Sequence, residues 1–159
     1  MVLLSVVVAF AARALLVMLF LPFSALDKIF NFKQAVGQAA EAIRSRSMAK
    51  AAIVAGLGVE VLMSLSILTG MADRMAALVL AGYCIVTALL WKQFWKQPDF
   101  RLKGTSRGRD VFWDFLKNLA LAGGFLALAF GANASGFQHF MAHPLASSHP
   151  YTQTAKGGV

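Results

Sequence analysis

The sequence predicts an all-α protein, a four-helix transmembrane bundle with a short amphipathic interfacial helix after the first transmembrane helix. Of its 159 residues, 58% are hydrophobic and only 14% are charged, whereas soluble domains are about 45–50% apolar and about 25% charged. The apolar residues form four runs, and the charges fall mostly in the segments between those runs. This arrangement is typical of a small polytopic membrane protein.

The first predicted transmembrane helix covers residues 1–23. The run is long enough to cross a bilayer and has no basic region before its apolar part, so we do not interpret it as a signal peptide. Arg13 lies in its middle, and Pro22 lies near its end, where a helix tolerates proline. The length of the chain indicates one membrane domain, which we place at residues 1–136.

The segment after the first helix, residues 24–48, is mixed in polarity. Its part NFKQAVGQAAEAIRS has weak helical periodicity and predicts a short amphipathic helix at the interface. The shared apolar side consists of Phe32, Ala35, Val36, Ala39 and Ile43. An ordinary connecting loop is the alternative.

Three further transmembrane helices are predicted at 49–71, 75–92 and 111–131. Because only three residues join the first two of these, they must be antiparallel neighbours. A basic, Gly- and Ser-containing loop precedes the last helix. Residues 137–159 are predicted to form a polar, partly flexible C-terminal tail whose last ten residues fray.

The distribution of charge predicts the orientation and excludes some functions. The net charge is +8, but the cations lie in the connections after the first and third helices, so nucleic acid is not the expected partner. The positive-inside rule places both connections in the cytoplasm and both termini on the non-cytoplasmic side. The single cysteine, Cys84, excludes a CxxC redox pair within the chain.

Two opposite charges are predicted deep in the membrane. A charged side chain at that depth costs about 2.5–3.5 kcal/mol on insertion scales. Counted from the predicted helix ends, Arg13 and Glu60 each lie roughly 17 Å from their own side of a ~30 Å core. The sequence therefore predicts an Arg13–Glu60 ion pair. The pair is interpreted either as a structural pin between two helices or as a site that binds a headgroup or carries protons.

Other polar residues are weaker candidates. Ser64 shares the helix face of Glu60, and Asn118 is placed deep enough for a polar contact inside the bundle. His139 and His143 have the i, i+4 spacing that allows two imidazoles to bind one metal, but no carboxylate follows them. We therefore expect solvated histidines and no metal site.

Several short motifs, in this order and spacing, resemble the DoxX-like membrane proteins. They are Arg13 followed by SALDKIFNF, GLGVEVLMSLSILTG, ADRMAALVL and KNLALAGGFLALAFGANASG, and together they cover residues 12–136. The resemblance implies a four-helix protein of the bacterial inner membrane. It also implies that certain polar residues occupy positions of the family pattern: Arg13, Lys28, Glu60, Arg74 and Asn118.

The function implied by this resemblance is that of a non-catalytic accessory subunit of a respiratory or redox complex. A quinone or a lipid is the expected ligand, bound near the predicted Arg–Glu pair, and the chain carries no cofactor-ligand set or catalytic motif of its own. The expected partners are membrane lipid and other membrane subunits or a second copy of the chain. The alternatives are a small proton-coupled transporter and an assembly factor for another membrane protein.

Overall fold

The computed structural model describes residues 2–131 and 134–152, and these form helices, turns and loops without a strand. Four helical stretches are long and apolar enough to cross a membrane: Val2–Phe30, Arg46–Thr69, Asp73–Lys96 and Arg107–Phe130. The predicted fold class, an all-α protein with four transmembrane helices, is therefore confirmed.

The first span is longer than predicted and is broken in its middle. It consists of α1 (Val2–Val17), an irregular segment (Leu19–Ser24) and α2 (Ala25–Phe30). At the break, Leu21 is extended, with φ −124° and ψ 112°. Proline lacks an amide hydrogen and disfavours a helical conformation in the residue before it, so Pro22 accounts for the break.

The short helix predicted after the first span is present as α3 (Phe32–Ala42). Its buried residues Val36 and Ala39 pack with Ala49, near the start of the next span. The opposite side of α3 is exposed, as the amphipathic pattern predicts. A helix, and not the alternative loop, therefore connects the first two spans.

The second and third spans form an antiparallel hairpin, as predicted. The helices are α4 (Arg46–Thr69) and α5 (Asp73–Trp91), joined by residues 70–72. Gly70 ends α4 with a left-handed backbone, φ 78°, which glycine adopts without steric cost. The Ser45 hydroxyl accepts a hydrogen bond from the Met48 amide, and this cap starts α4 three residues before the predicted position.

The fourth span, α6 (Arg107–Phe130), also starts earlier than predicted because its first turn is capped. The Asp99 carboxylate accepts hydrogen bonds from the amides of Arg107 and Gly108. A further helix, α7 (Ala134–Ala142), follows, and the predicted domain boundary at residue 136 falls within it. The fraying predicted for the last residues falls largely on 153–159, which lie outside the described residues.

The core lies where the four spans meet. Its buried residues come from all of them and include Val17, Ile67, Leu80 and Phe125. We call the end of the bundle that contains α2, α3 and residues 92–106 the basic end. The end that contains the α4–α5 turn, α7 and residues 143–152 is called the opposite end.

Candidate functional site: a buried carboxylate beside a cavity

Glu60 is almost fully buried, at 1% exposure, and is surrounded by polar groups from two other spans. Lys28 Nζ lies 2.7 Å from its Oε1 and 3.0 Å from its Oε2. The Tyr83 hydroxyl donates to Oε1 at 2.7 Å, and the Ser24 hydroxyl donates to the same oxygen at 3.2 Å. We call these four residues the Glu60 cluster. Its carboxylate is paired and hydrogen-bonded, which is how a buried charge is tolerated.

The break in the first span brings two members of the Glu60 cluster to the carboxylate. Ser24 and Lys28 are four residues apart and lie on one helix face, with Nζ 2.5 Å from the Ser24 hydroxyl. Helical side chains tilt toward the N-terminus of their own helix. Lys28 therefore extends from α2, near the basic end, into the membrane span toward Glu60.

A glycine leaves room for the third contact. Gly56 lies one turn before Glu60 on α4, and a Cβ atom at this position would lie 3.1 Å from the Tyr83 hydroxyl oxygen. The missing side chain at Gly56 therefore lets the α5 tyrosine reach the carboxylate.

A cavity of about 490 Å³ opens beside the Glu60 cluster, between the first span, α5 and α6. Its apolar lining comes from Leu19, Phe20 and Leu121, and its polar lining includes Lys28, Glu60, Tyr83, Thr87 and Asn118. Toward the basic end, Asp114 lines it together with Lys92 and Lys117, whose ammonium groups lie 3.1 Å and 3.4 Å from the Asp114 carboxylate. The cavity therefore combines an apolar wall with buried hydrogen-bonding groups.

A second cavity of about 230 Å³ lies between α2, α3, α4 and α5. Lys28, Tyr83 and Thr87 line both cavities. Trp91 also lines the smaller cavity, and its buried indole N–H has no hydrogen-bond partner among the described residues. The Glu60 cluster thus lies between two spaces that approach it from different helices.

The predicted Arg13–Glu60 ion pair is wrong. Arg13 Nη1 lies 2.9 Å from the Asp73 carboxylate and donates to the Ile67 carbonyl at 3.2 Å. Glu60 pairs with Lys28 instead. Ile67 is seven residues beyond Glu60 on α4, which separates the two levels by about 10 Å along the helix axis.

The depth estimate failed because α1 is displaced along its axis relative to the prediction. Arg13 lies level with the end of α4, so the first eleven described residues of α1 continue past that end. Several of them are exposed, including Val2, Leu3, Leu4, Val7 and Val8. The prediction had residue 1 begin level with the end of α4, and it therefore placed Arg13 level with Glu60 instead of beside Ile67 and Asp73.

Arg13 and Asp73 form a separate buried group at the opposite end, joined by the C-terminal segment. Ser148 donates its amide to Asp73 at 2.9 Å and its hydroxyl at 2.5 Å, and accepts from Arg13 at 2.8 Å. Tyr151 donates to the Leu68 carbonyl at 2.5 Å. This group links α1, α5 and residues 148–151, and the cavity beside Glu60 is not lined by it.

The remaining sequence candidates lie in different places. Ser64 is fully buried, and its hydroxyl has no partner among the described residues. Asn118 donates to the Asp114 carbonyl at 2.9 Å and lines the larger cavity. Arg74 contacts His139 at 3.0 Å.

The His139 and His143 rings lie 5.7 Å apart at their centroids. Across residues 2–131 and 134–152, no group of three or more His, Cys, Asp or Glu side chains is arranged to hold a metal ion.

More than half of the chain matches the model of a known protein family. The DoxX model matches residues 8–93, which are 86 of the 159 residues. The chain belongs to the DoxX family. The DoxX match contains both ion pairs, Arg13–Asp73 and Lys28–Glu60, together with Tyr83, whereas Asn118 and α6 lie beyond it. No curated protein and no solved structure matches the chain.

The sequence prediction missed Tyr83 and Asp73. Counting residues from the α4–α5 turn could have identified Tyr83. It lies ten residues after the start of α5, and Glu60 lies nine residues before the end of α4, so the two residues are at the same level. Asp73 gave a weaker signal, because an aspartate in the first turn of a helix is an ordinary stabilising residue there.

Proposed function

We propose that this DoxX-family protein is a non-catalytic accessory subunit of a membrane redox complex, and that the cavity beside Glu60 binds the headgroup of a quinone. The observation that carries the proposal is the cavity itself, which places a buried carboxylate, a lysine and a tyrosine next to an apolar wall. The association with redox complexes rests on the resemblance of the motifs to DoxX-like proteins.

A quinone fits the chemistry of this lining. Its carbonyl oxygens accept hydrogen bonds. Asn118 donates one amide hydrogen to the Asp114 carbonyl and has a second one to donate. Lys28, whose ammonium group contacts Glu60 and Ser24, adds positive charge to the lining. Its ring and tail are apolar and suit Leu19, Phe20 and Leu121. A volume of about 490 Å³ lies within the roughly 300–1,000 Å³ of small-molecule sites.

A titration of decylubiquinone into the protein in phosphatidylcholine nanodiscs tests this proposal. Lys28→Met should weaken binding about tenfold, because it removes the positive charge that lines the cavity, and a loss of about 1.4 kcal/mol is a tenfold change. Lys117→Met is the matched control, since Lys117 lies at the edge of the same cavity with 72% of its side chain exposed. Saturable binding that both variants weaken equally, or no saturable binding to the wild type, contradicts the proposal.

Copurification tests the accessory role separately. An accessory subunit should be recovered in a stoichiometric complex with other membrane proteins after mild detergent extraction. A partner that is recovered only transiently, during synthesis of another membrane protein, favours the assembly factor instead. Recovery of the chain alone in both cases contradicts both roles.

A proton-coupled carrier is the second candidate, and one observation favours it. Lys28 and Tyr83 contact Glu60 and line both cavities, so the carboxylate lies between two spaces that solvent or a substrate could enter. Intramembrane carboxylates commonly relay protons. A proton flux in proteoliposomes that Glu60→Gln abolishes would favour the carrier over the accessory subunit.

The proposed location is the bacterial inner membrane, with the basic end in the cytoplasm and both termini outside. The proposal rests on the DoxX membership and on the positive-inside rule. Single cysteines introduced at Lys103 and at Met71, in a Cys84→Ala background, test it. A membrane-impermeant thiol reagent added to intact cells should label the cysteine at 71 and not the one at 103, and the reverse pattern contradicts the orientation.

A further inference from the structure

A second surface of the molecule, at the basic end, has a chemistry that the proposed function does not use. A cleft of about 600 Å³ lies between α3 and the start of α4. We call it the α3–α4 cleft, and its lining residues are Phe32, Lys33, Val36, Arg46, Ser47 and Lys50. It shares no lining residue with the two cavities at the Glu60 cluster.

The three cations of the α3–α4 cleft have no partners among the described residues. Lys33, Arg46 and Lys50 are exposed, and none of them makes a hydrogen bond or an ion pair with any residue in 2–131 or 134–152. Like charges gathered around one cleft repel each other, and an anion bound between them offsets this repulsion by attracting all three. The charge of the cleft is therefore complementary to an anionic group.

The base of the same cleft is apolar. Val36 is buried at 6% exposure, and the partly buried Phe32 packs against the same cluster as Val36. Arg46, Lys50 and Val54 follow at i, i+4 and i+8 on α4, so they share one helix face. Val54 is 53% exposed, which continues an apolar surface from the cations toward the middle of the span.

We propose that the α3–α4 cleft binds one anionic phospholipid. Its phosphate lies among Lys33, Arg46 and Lys50, and its acyl chain follows Phe32 and Val54 along α4. Basic pockets at the membrane surface bind anionic headgroups in this way. A zwitterionic lipid carries a choline that the three cations repel, so the cleft selects for net negative charge.

Native mass spectrometry of the protein released from nanodiscs tests the proposal. The nanodiscs contain phosphatidylcholine as the main lipid and phosphatidylglycerol as the minor, anionic lipid. The wild type should retain one phosphatidylglycerol in preference to phosphatidylcholine. The triple variant Lys33→Gln, Arg46→Gln, Lys50→Gln should lose that preference by at least tenfold, given about 1 kcal/mol per cation near the surface.

The matched control removes three cations from the other basic connection: Lys96→Gln, Arg101→Gln, Lys103→Gln. It has the same net charge as the cleft variant and should keep the retained lipid. Equal loss in both variants, or no preference in the wild type, overturns the proposal.

Two further measurements separate the alternatives. Inorganic phosphate added at millimolar concentration should not displace the lipid, and displacement would show that the cleft recognises free phosphate. Thermal unfolding in detergent should show that the triple cleft variant is folded. If the triple variant is unstable, Lys50→Gln alone replaces it, and this variant should retain the lipid at an intermediate level.

Discussion

Lys28 and Glu60 form an ion pair across 2.7 Å that joins α2 to α4 inside the membrane span, next to a cavity. The carboxylate is buried to 2% side-chain exposure and the lysine to 16%. Removing one member of such a pair leaves an uncompensated charge, whereas removing both leaves none. The effect of these substitutions on the free energy of unfolding therefore tests the pair without any ligand.

The single variant Lys28→Met should lower the free energy of unfolding by about 3 kcal/mol, because Glu60 keeps only hydroxyl partners. The double variant Lys28→Met, Glu60→Met should regain most of that loss. Equilibrium unfolding in mixed micelles measures both. Additive losses in the double variant would show that the two residues are not energetically coupled.

Gly56 and Gly58 provide a test of the space that Tyr83 needs. A Cβ at Gly56 would lie 3.1 Å from the Tyr83 hydroxyl oxygen, whereas no atom lies within 4 Å of a Cβ at Gly58. Gly58→Ala should therefore stabilise α4 by about 0.5–1 kcal/mol. Gly56→Ala should gain less or lose stability, and should also weaken decylubiquinone binding. Equal stabilisation by both substitutions in unfolding experiments would contradict this account.

The loop before α6 depends on a glycine at close contact. A Cβ at Gly108 would lie 2.7 Å from the Phe100 Cα and 2.8 Å from its amide nitrogen. Because backbone atoms cannot move aside easily, Gly108→Ala should cost about 1–3 kcal/mol. Gly123→Ala on the same helix is the control, since a Cβ at Gly123 meets no atom within 4 Å. Thermal unfolding should shift to lower temperature for the first variant only, whereas Gly123→Ala should raise the transition slightly, as expected for Gly58→Ala.

The group at the opposite end should hold the C-terminal segment in place. Ser148→Ala removes a hydroxyl that bonds both Asp73 and Arg13 and should cost about 1–2 kcal/mol. Limited proteolysis should then cleave residues 143–152 faster than in the wild type. Thr69→Ala is a suitable control, because the Thr69 hydroxyl bonds the carbonyls of Leu65 and Ser66 within its own helix. An unchanged cleavage rate in Ser148→Ala would contradict the proposed role of this group.

The sequence was sufficient to predict the four transmembrane spans, because in lipid an apolar run of this length can satisfy its backbone hydrogen bonds only as a helix or in a closed barrel. It was also sufficient to show that Glu60 needs a partner. It did not identify that partner, because the depth of a residue depends on where each helix meets the membrane. The break at Pro22 brings Lys28 back toward Glu60, and the offset of α1 places Arg13 beside Asp73.

The residues of the proposed ligand site were likewise predictable one by one, but their arrangement in space was not. Glu60, Lys28 and Asn118 were all candidates in the sequence, yet nothing in it placed them around one cavity. Tyr83 is a hydroxyl in an apolar helix, and only its distance from the α4–α5 turn reveals that it lies level with Glu60. Contacts between helices that are distant in sequence depend on packing, which periodicity does not describe.

Photo-crosslinking with a diazirine analogue of decylubiquinone in nanodiscs tests the central claim most directly. The account predicts that labelling concentrates on residues lining the cavity beside Glu60, such as Lys28, Tyr83 and Leu121, and that excess decylubiquinone prevents it. Labelling that is spread over the exposed apolar surface of α1, or that excess decylubiquinone does not reduce, would contradict a quinone site at Glu60.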